Sequence, residues 1–360
     1  MTPLPPLTRP APLWRRWLLA PVHFWTRPVR AEPLALFRIV FGATLLLSVL
    51  VSYAPYLGPY LGGDPLLPSG QVDDWMSTNA GRFCLLRGPK NLPPFDQMPA
   101  GYADAWTHWC EQPANEYLLF GVWVASLACV TLGLWTRPST IIALLLTVSF
   151  HLRIVQTTNG GDSVARCGLF YLMAPAGAVW SLDAWMTRRW RKWRGLTPDP
   201  SPVLIPAWSV RLIQIQLCLM YFFTGLVKIV DDLPTLIQTG RPGADADWLT
   251  GHAVYWVLND IELNRVPYAW LAPPMWLCQA LSWGTLAFEI GFPFLVLSRR
   301  LRPWVLLGGI SFHLGIWATT EVGWFSPMSI CWYAVFLTGG QLDAIAAFLR
   351  RRRQIDSYTS

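Results

Sequence analysis

Long apolar segments alternate with polar, proline-rich and arginine-rich links along most of the chain. About 20 mostly apolar residues are enough for a helix to cross a bilayer. The pattern therefore predicts an all-α, polytopic integral membrane bundle of about eight transmembrane helices. The predicted spans are 34–54, 116–135, 139–157, 164–181, 208–230, 275–297, 304–319 and 326–348.

The links between the spans divide the chain into three predicted parts. Residues 1–33 contain the stretch LWRRWLLAPVHFW, which predicts an amphipathic helix at the cytoplasmic membrane surface. Residues 34–348 form the transmembrane domain, with long outer loops at 55–115 and 231–272. Residues 349–360 form a basic cytoplasmic tail.

The distribution of charge orients the predicted spans. With eight spans, the arginine runs of the N-terminal segment, of RRWRKWR, of SRRLR and of the C-terminal tail all fall on one side. The two long outer loops hold more acidic than basic residues. Because basic residues favour the cytoplasmic side, both termini are predicted to be cytoplasmic.

The composition agrees with a membrane protein and limits the partners. The chain is 53% hydrophobic and only 14% charged, whereas soluble domains carry about 25% charged residues. Its net charge of +7 comes from the orientation signals, so we expect membrane lipid as a partner and no nucleic acid. No Cys/His spacing typical of a metal site occurs, and no metal is expected. Cys84 and Cys110 share one outer loop and could pair in an oxidising compartment.

Lys228 is the one lysine, of three in the chain, that lies in an apolar segment. On a helix it shares a face with Gln214, Leu217, Tyr221 and Thr224. An ionisable group inside a membrane span is costly, which makes it a functional-site hypothesis. Alternatively, Lys228 lies near the end of its span and extends its ammonium group to the outer interface.

A second polar group is the link NGGDSVAR between the third and fourth spans. It contains Asn159, Gly160, Gly161, Asp162, Ser163 and Arg166. Asp162 precedes Arg166 by four residues, which favours a helical ion pair, and Asp162 or Ser163 could cap the fourth span. The paired glycines suit a close backbone approach, and their N–H groups suit an anion or a polarised oxygen. The alternative is a purely structural cap and ion pair.

Three further polar residues lie at membrane depth. His151 lies near the end of the third span, Glu289 lies in the middle of the sixth, and His313 lies in the seventh. A buried carboxyl such as Glu289 is expected to be protonated or paired. His313 is either a hydrogen-bonded core residue or a catalyst. These groups would meet Lys228 only if spans three, four, five and seven pack together, and a desolvated lysine can then act as a general base.

Several stretches in the same order resemble a known family. They are PLALFRIVFG, LGLWTRPST, FHLRIVQTTNGGDS, WSLD, QIQLCLMYFFTGLVKI, ADWLTGHAVYWVL and FEIGFPFLVLSRRLRPWVLLGGISFHLGI. The chain thereby resembles the horizontally transferred transmembrane (HTTM) family, bacterial membrane proteins related to vitamin K-dependent gamma-glutamyl carboxylase. The resemblance implies a location in the bacterial cytoplasmic (inner) membrane.

The resemblance also implies roles for individual residues. In the carboxylase an intramembrane lysine deprotonates a reduced quinone, and oxygenation of the quinone yields a strong base. This base removes a γ-proton from a substrate glutamate, and CO₂ adds to the carbanion. FTGLVKIV would place this lysine at Lys228. DADWLTG would place a conserved tryptophan motif at Trp248 and Gly251, and SFH a histidine at His313. Asn159 falls on a family asparagine, but the family's neighbouring catalytic histidine falls on Gly160.

The predicted site combines both lines of argument. The histidine role could pass to His151, so the catalytic candidates are Lys228, Asn159, His151 and His313. The candidates for binding substrate or cofactor are Gly160, Gly161, Asp162, Arg166, Tyr221, Thr224, Trp248 and Glu289.

Two functions remain in view. The first is a carboxylase- or epoxidase-like enzyme that uses a reduced quinone with O₂ and CO₂. The second is a non-carboxylating membrane factor for maturation or export of a secreted peptide, with the outer loops as the partner surface. A transporter would show repeated halves, which the sequence lacks.

Overall fold

The computed structural model is predominantly helical. It describes residues 22–359 apart from 23, 62–83, 88–99, 111, 155–157, 198, 240–246, 268–269 and 271. The helices of the first half are α1 (Glu32–Ser52), α2 (Leu57–Leu61), α3 (Ala100–Cys110), α4 (Pro113–Leu132), α5 (Thr136–Arg153), α6 (Gly160–Leu172) and α7 (Leu182–Trp193). Those of the second half are α8 (Trp208–Thr239), α9 (Asp247–Thr250), α10 (Ala253–Asn259), α11 (Met275–Leu295), α12 (Arg302–Thr319), α13 (Phe325–Cys331) and α14 (Gly339–Thr359).

Short elements connect these helices. Single 3₁₀ turns cover Ala54–Tyr56, Leu85–Arg87 and Trp332–Phe336. Strands β1 (Val29–Arg30) and β2 (Leu204–Ile205) pair antiparallel, with Val29 opposite Ile205. This ribbon, too short for a period-two pattern to reveal, is a small departure from the predicted all-α class. The predicted N-terminal amphipathic helix lies mostly outside the described residues.

The described residues contain three helices that are long and apolar enough to cross a membrane. They lie at Glu32–Pro59, Pro113–Leu132 and Trp208–Pro234. A fourth is reached if the bent pair Phe325–Phe336 and Gly339–Arg351 counts as one span. The chain is thus an all-α, multi-pass membrane protein, while the count of eight spans and the orientation of the termini stay predictions.

Three predicted spans differ clearly from the observed helices. The predicted span 326–348 is not one straight helix, because α13 and α14 meet at an angle of 106° around the break after Phe336. In place of the predicted span 164–181, the structure has α6 at Gly160–Leu172. This helix starts earlier and is shorter than predicted, and turns follow it. Conversely, α8 continues beyond the predicted end at 230 as far as Thr239.

The helices form two packed groups joined by the broken segment. Helices α1, α4, α5 and α6 pack on one another in the first group. In the second group α8 packs along α11, and α11 also contacts α12. The segment from α13 through Trp332–Phe336 contacts α1, α6, α8 and α12. Trp332 is fully buried there, edge-on to Phe37 of α1 at 5.6 Å between ring centroids. The broken segment is therefore the central contact between the two groups.

Arg38, nearly two turns inside α1, is fully buried and links segments of the first group. Its guanidinium donates hydrogen bonds to the carbonyl oxygens of Val130 and Thr131, at 2.8 and 2.5 Å. It also donates to Ala176 at 3.1 Å and to the carbonyl of Trp180. The first two carbonyls end α4 and the other two lie in the turns after α6. One side chain thus donates to backbone carbonyls of two distant segments, at the end of α4 and in the turns after α6.

Asp183 performs a similar task at the start of α5. Its carboxylate accepts hydrogen bonds from the backbone N–H groups of Trp135 and Thr136, at 2.8 and 2.9 Å, and from the Thr136 hydroxyl at 2.7 Å. Burial alone would raise the pKa of Asp183, but these hydrogen bonds bring the pKa below its ordinary value. The stretches WTRPST and WSLD are therefore held together by the capping of one helix.

Replacing Arg38 with methionine is predicted to lower the free energy of unfolding by about 3 kcal/mol or more, since several buried carbonyls lose their donor. Arg137→Met is the matched control, because Arg137 is exposed at the start of α5. Thermal unfolding of the two variants in detergent, monitored by circular dichroism, checks this. Equal melting temperatures for the two variants would contradict the role given to Arg38.

Candidate functional site

A cavity of about 340 Å³ opens between α8, α11, α12 and α13, and we call it the Lys228 cavity. Most of its wall is apolar, and a few polar groups face into it. Six of the predicted site residues line it, namely Lys228, Glu289, Tyr221, Thr224, Trp248 and His313. A mostly apolar pocket with a few convergent polar groups is the usual form of a small-molecule site.

Lys228 is paired with Glu289 across the contact between α8 and α11. The ammonium nitrogen lies 2.6 and 2.7 Å from the two carboxylate oxygens. The Glu289 side chain is 5% exposed and that of Lys228 18% exposed. Gly225, one turn before Lys228, allows this approach, because a Cβ there would lie 2.9 Å from Cβ of Glu289. The Lys228 side chain is therefore directed to Glu289, which is a paired carboxyl, and the depth of the ammonium group in the membrane stays a prediction.

The short segment of α9 and Gly251, which we call the Trp248 loop, covers the Lys228 end of the cavity. The indole ring lies 4.4 Å from the Lys228 ammonium, a cation–π contact. Asp232 fixes the loop, since its carboxylate accepts the N–H groups of Trp248 and Leu249 at 2.7 and 2.8 Å. Gly251 ends the loop with φ +82° and packs against Gln279, where a side chain would collide. This geometry accounts for the tryptophan and the glycine of the stretch DWLTG.

Asp232 was missed by the sequence analysis. It is buried and lies four residues after Lys228 on the same helix. The spacing i, i+4 places both side chains on one face, and this was the signal that could have identified it. We had assigned Asp232 to the outer loop because the predicted span ended at residue 230.

A hydrogen-bonded group of aromatic residues lies at another wall of the cavity. The Tyr221 hydroxyl lies 2.7 Å from Nε2 of His313 and also hydrogen-bonds the hydroxyl of Tyr333. His313 is buried, and its Nδ1 has no hydrogen-bond partner among the described residues. His313 is thus a hydrogen-bonded core histidine that also lines the cavity, and its catalytic role stays a prediction.

The other six predicted site residues form a separate cluster around the start of α6, which we call the cap cluster. They are His151, Asn159, Gly160, Gly161, Asp162 and Arg166. Asn159 is the N-cap residue: its side-chain oxygen accepts the Gly161 N–H at 2.7 Å, and the Asp162 carboxylate accepts the Asn159 N–H at 2.8 Å. Helix α6 begins four residues earlier than expected, so the N-cap residue is Asn159, and Asp162 takes part in the cap from the third helical position. Since Asn159 uses the Gly161 N–H, that group does not serve an anion as we had expected.

His151 and Arg166 complete this cap cluster. His151 is buried, with Nε2 3.3 Å from Asp162 and Nδ1 3.4 Å from a guanidinium nitrogen of Arg166. Arg166 also donates to the Ser163 hydroxyl at 3.1 Å. The predicted direct ion pair between Asp162 and Arg166 is absent, because the His151 ring lies between the two side chains. These contacts agree with the alternative of a purely structural role, in which the residues cap α6 and the charged side chains are linked through His151.

Phe325 stands between the two groups of predicted residues. Its ring lines the Lys228 cavity, at 5.6 Å from the His313 ring. On its other side lie Gly160 and Gly161, where a Cβ on Gly160 would be 3.5 Å from the Phe325 ring. Asn159 and Asp162 instead line a small cavity of about 70 Å³. Neither Asn159 nor His151 is therefore in the wall of the Lys228 cavity.

Two further expectations can be compared with the described residues. Cys84 and Cys110 are both buried and lie near the Leu85–Arg87 turn, where Sγ of Cys110 is 3.8 Å from the Leu85 carbonyl oxygen; their pairing stays a prediction. No group of three or more His, Cys, Asp or Glu side chains suited to a metal ion occurs within the described ranges.

The comparisons with known proteins give one match. The HTTM domain family matches residues 105–339, more than half of the chain, and this family includes vitamin K-dependent gamma-carboxylase. The matched region contains α8, α11 and α12 with the whole Lys228 cavity, and it also contains the cap cluster at α6. Neither the curated proteins nor the solved structures contain a match to this chain.

The two neighbouring glycines of the cap cluster are predicted to differ in tolerance. In Gly161→Ala the new Cβ would lie 2.8 Å from the Phe325 backbone nitrogen, so the contact between α6 and α13 must open. In Gly160→Ala the nearest atom is at an ordinary 3.5 Å. We expect Gly161→Ala to lower the melting temperature markedly and Gly160→Ala to leave it nearly unchanged. Equal effects in a detergent melting experiment would refute this packing.

The buried pair is predicted to respond asymmetrically to mutation. Lys228→Met or Glu289→Leu alone should cost about 3–5 kcal/mol, because a buried charge loses its partner. The double variant should recover most of that loss, since two apolar side chains replace the pair. The matched control is Arg265→Gln in the more exposed pair with Glu321, which should cost less than about 1 kcal/mol. Additive losses in the double variant, measured by chemical denaturation, would argue against a coupled pair.

Proposed function

Since the chain belongs to the HTTM family, we propose that it is a membrane enzyme that transfers a proton to and from a lipid-soluble, reduced-quinone-like molecule in the Lys228 cavity. Lys228 is the proposed base and Glu289 its proton partner. The single observation that carries the proposal is the position of this pair in the wall of an apolar cavity. The proposed location is the bacterial cytoplasmic membrane, with eight spans and both termini inside.

The shape and polarity of the cavity suit such a ligand. Its volume of about 340 Å³ is within the range of small-molecule pockets. The polar groups lie at the Lys228–Glu289 pair and at the Tyr221–His313 contact, and apolar side chains such as Met220 and Ile316 line the rest. An aromatic diol could hydrogen-bond the polar groups while its apolar substituent contacts these walls.

The Lys228–Glu289 pair has two forms that differ by the position of one proton. Transfer of the proton from Nζ to a Glu289 oxygen converts the ion pair into a neutral amine and a neutral acid. The amine can then accept a proton from a bound hydroxyl group and return to the ammonium form. Trp248 stabilises the ammonium form through the face of its ring, 4.4 Å from the Lys228 nitrogen.

The remaining residues position the ligand and exclude water. Asp232 holds the Trp248 loop over the pair through two backbone hydrogen bonds. Tyr221 is oriented by His313 and Tyr333, which fixes the direction of its hydroxyl. A bound reduced quinone would supply the electrons for the reaction with O₂, and CO₂ would be the group added in a carboxylation.

A second candidate function is favoured by the cap cluster. By the resemblance, Gly160 falls on the position of the family's catalytic histidine, and the side chains of Asn159 and His151 contact residues of the cap cluster. A non-carboxylating factor that helps to mature or export a secreted peptide would need neither residue in the cavity. Its partner surface would include the outer segments between α1 and α4 and between α8 and α11.

The test is a quinone-turnover assay on purified protein in lipid nanodiscs. Reduced quinone, O₂ and labelled bicarbonate are supplied, and both quinone oxidation and fixed label are measured. Lys228→Ala and Lys228→Arg should each lower quinone turnover by about 100-fold or more, as expected for loss of a general base. Lys192→Arg, at an exposed lysine of α7, is the matched control.

The outcomes separate the candidates. Turnover that depends on Lys228 and fixes label supports the carboxylase-like enzyme. Turnover that depends on Lys228 without fixed label supports an enzyme that oxidises the quinone and does not carboxylate. Wild-type turnover in both Lys228 variants would contradict the proposed base, and no turnover in any sample would favour the peptide-maturation factor.

A further inference from the structure

A second, basic cavity lies at the arginine-rich end of the bundle. Its volume is about 660 Å³, and Arg30, Arg211, Arg299 and Arg302 line it together with the start of α14. It shares no lining residue with the Lys228 cavity. We call it the basic cavity. Its side chains come from distant parts of the sequence, so only the fold assembles this charge.

The positive charge in the basic cavity is only partly neutralised. Arg30 binds Glu32 at 2.5 Å and Asp343 at 2.6 Å. Arg211 and Arg302 donate instead to uncharged oxygens, those of the Gln214 side chain and the Val296 backbone. Among the described residues no carboxylate pairs with Arg211, Arg299 or Arg302.

Two observations indicate that an anion would bind to the guanidinium groups of the basic cavity. Burial, and then the charge of Arg299, lower the pKa of the Arg302 guanidinium. The Nε of Arg211 is buried and has no hydrogen-bond partner in the part of the chain that the structure describes. A bound anion would satisfy the guanidinium groups and remove their mutual repulsion.

The first turn of α14 adds to the positive potential of the basic cavity. Thr338 precedes the helix, and its N–H donates to the side-chain oxygen of Gln341 at 2.8 Å. Gly339 and Gly340 line the cavity, and a Cβ on Gly340 would meet no atom within 4 Å. N–H groups at the start of a helix favour phosphate groups. The arginines and the helix start therefore attract the same kind of ligand.

An apolar cavity of about 600 Å³ adjoins the basic one. The two share Arg302, Phe336, Leu337 and Gln341 in their walls. The apolar side is formed by Leu36, Val40, Leu306, Leu307, Ile310 and Ile330. A charged compartment next to an apolar one suits a molecule with an anionic head and a hydrocarbon tail.

We propose that these two cavities bind one anionic phospholipid, with its phosphate against Arg211, Arg299 and Arg302 and an acyl chain in the apolar cavity. The charge complementarity selects an anionic lipid over a zwitterionic one, and the adjoining apolar cavity selects a lipid over a free phosphate. The arginine-rich end is the predicted cytoplasmic side, where anionic lipids attract basic residues. The site does not depend on the chemistry at Lys228.

The bound lipid would also stabilise the joint between the two helix groups. The shared wall residues Phe336 and Leu337 belong to the break between α13 and α14. Leu36 and Val40 belong to α1, while Leu306 and Ile310 belong to α12. A molecule in both cavities therefore contacts the first group, the second group and the broken segment, so its removal should lower thermal stability.

The test measures lipid binding to the purified full-length protein by native mass spectrometry and by thermal shift. Phosphatidylglycerol, phosphatidylcholine and glycerol phosphate are added separately to delipidated protein. We expect one phosphatidylglycerol to bind and raise the melting temperature, and the other two to do so much less. In Arg299→Gln/Arg302→Gln, binding should weaken by about fivefold per arginine removed. Arg188→Gln, an exposed arginine of α7, is the matched control.

If the double variant does not fold, the lipid comparisons on the wild-type protein are sufficient to overturn the proposal. Equal binding of phosphatidylcholine and phosphatidylglycerol would refute selection by charge. Equal stabilisation by glycerol phosphate would assign the basic cavity to a soluble phosphate compound and not to a lipid. An unchanged affinity for phosphatidylglycerol in a folded double variant would place the lipid elsewhere.

Discussion

The ion pair of Lys228 and Glu289 constrains the second helix group more than any other contact described above. An ammonium group among apolar helices is tolerated only while a carboxylate stays with it. This requirement fixes the facing sides of α8 and α11, which Gly225 allows to approach closely. Asp232 and Trp248 then close the same end of the cavity. The pair is therefore both a structural link and the most polar feature of the cavity.

The division of the predicted site into two clusters has consequences for the chemistry of this HTTM protein. Five of the predicted site residues, Glu289, Tyr221, Thr224, Trp248 and His313, line one cavity with Lys228. The residues around Asn159 instead build the start of α6 and contact the back of Phe325. A proton transfer at Lys228 is compatible with this geometry. A reaction that needs a second catalytic group from the α6 link would require Phe325 to move.

Much of the fold was predictable from the sequence, because long apolar segments and their arginine-rich ends repeat clearly. The polar stripe of α8 was also predictable, since helical periodicity places Tyr221, Thr224 and Lys228 on one face. The break after Phe336 was not, because WYAVFLT is as apolar as a continuous span. The position of Arg38 in an apolar segment is evident from the sequence. Its hydrogen-bond acceptors are backbone carbonyls of distant segments, which a side-chain pattern cannot reveal. Likewise, the mid-span position of Glu289 implied a partner without identifying Lys228.

The burial of the Lys228 amine in the bundle can be measured through chemical modification, because the chain has only three lysines. Purified protein is treated with a water-soluble amine reagent, and the modified peptides are quantified over time by mass spectrometry. The account predicts that Lys228 is modified far more slowly than the exposed Lys192, and that Glu289→Leu changes the Lys228 rate without changing the Lys192 rate. Equal modification rates at Lys228 and Lys192 in the wild-type protein would contradict it.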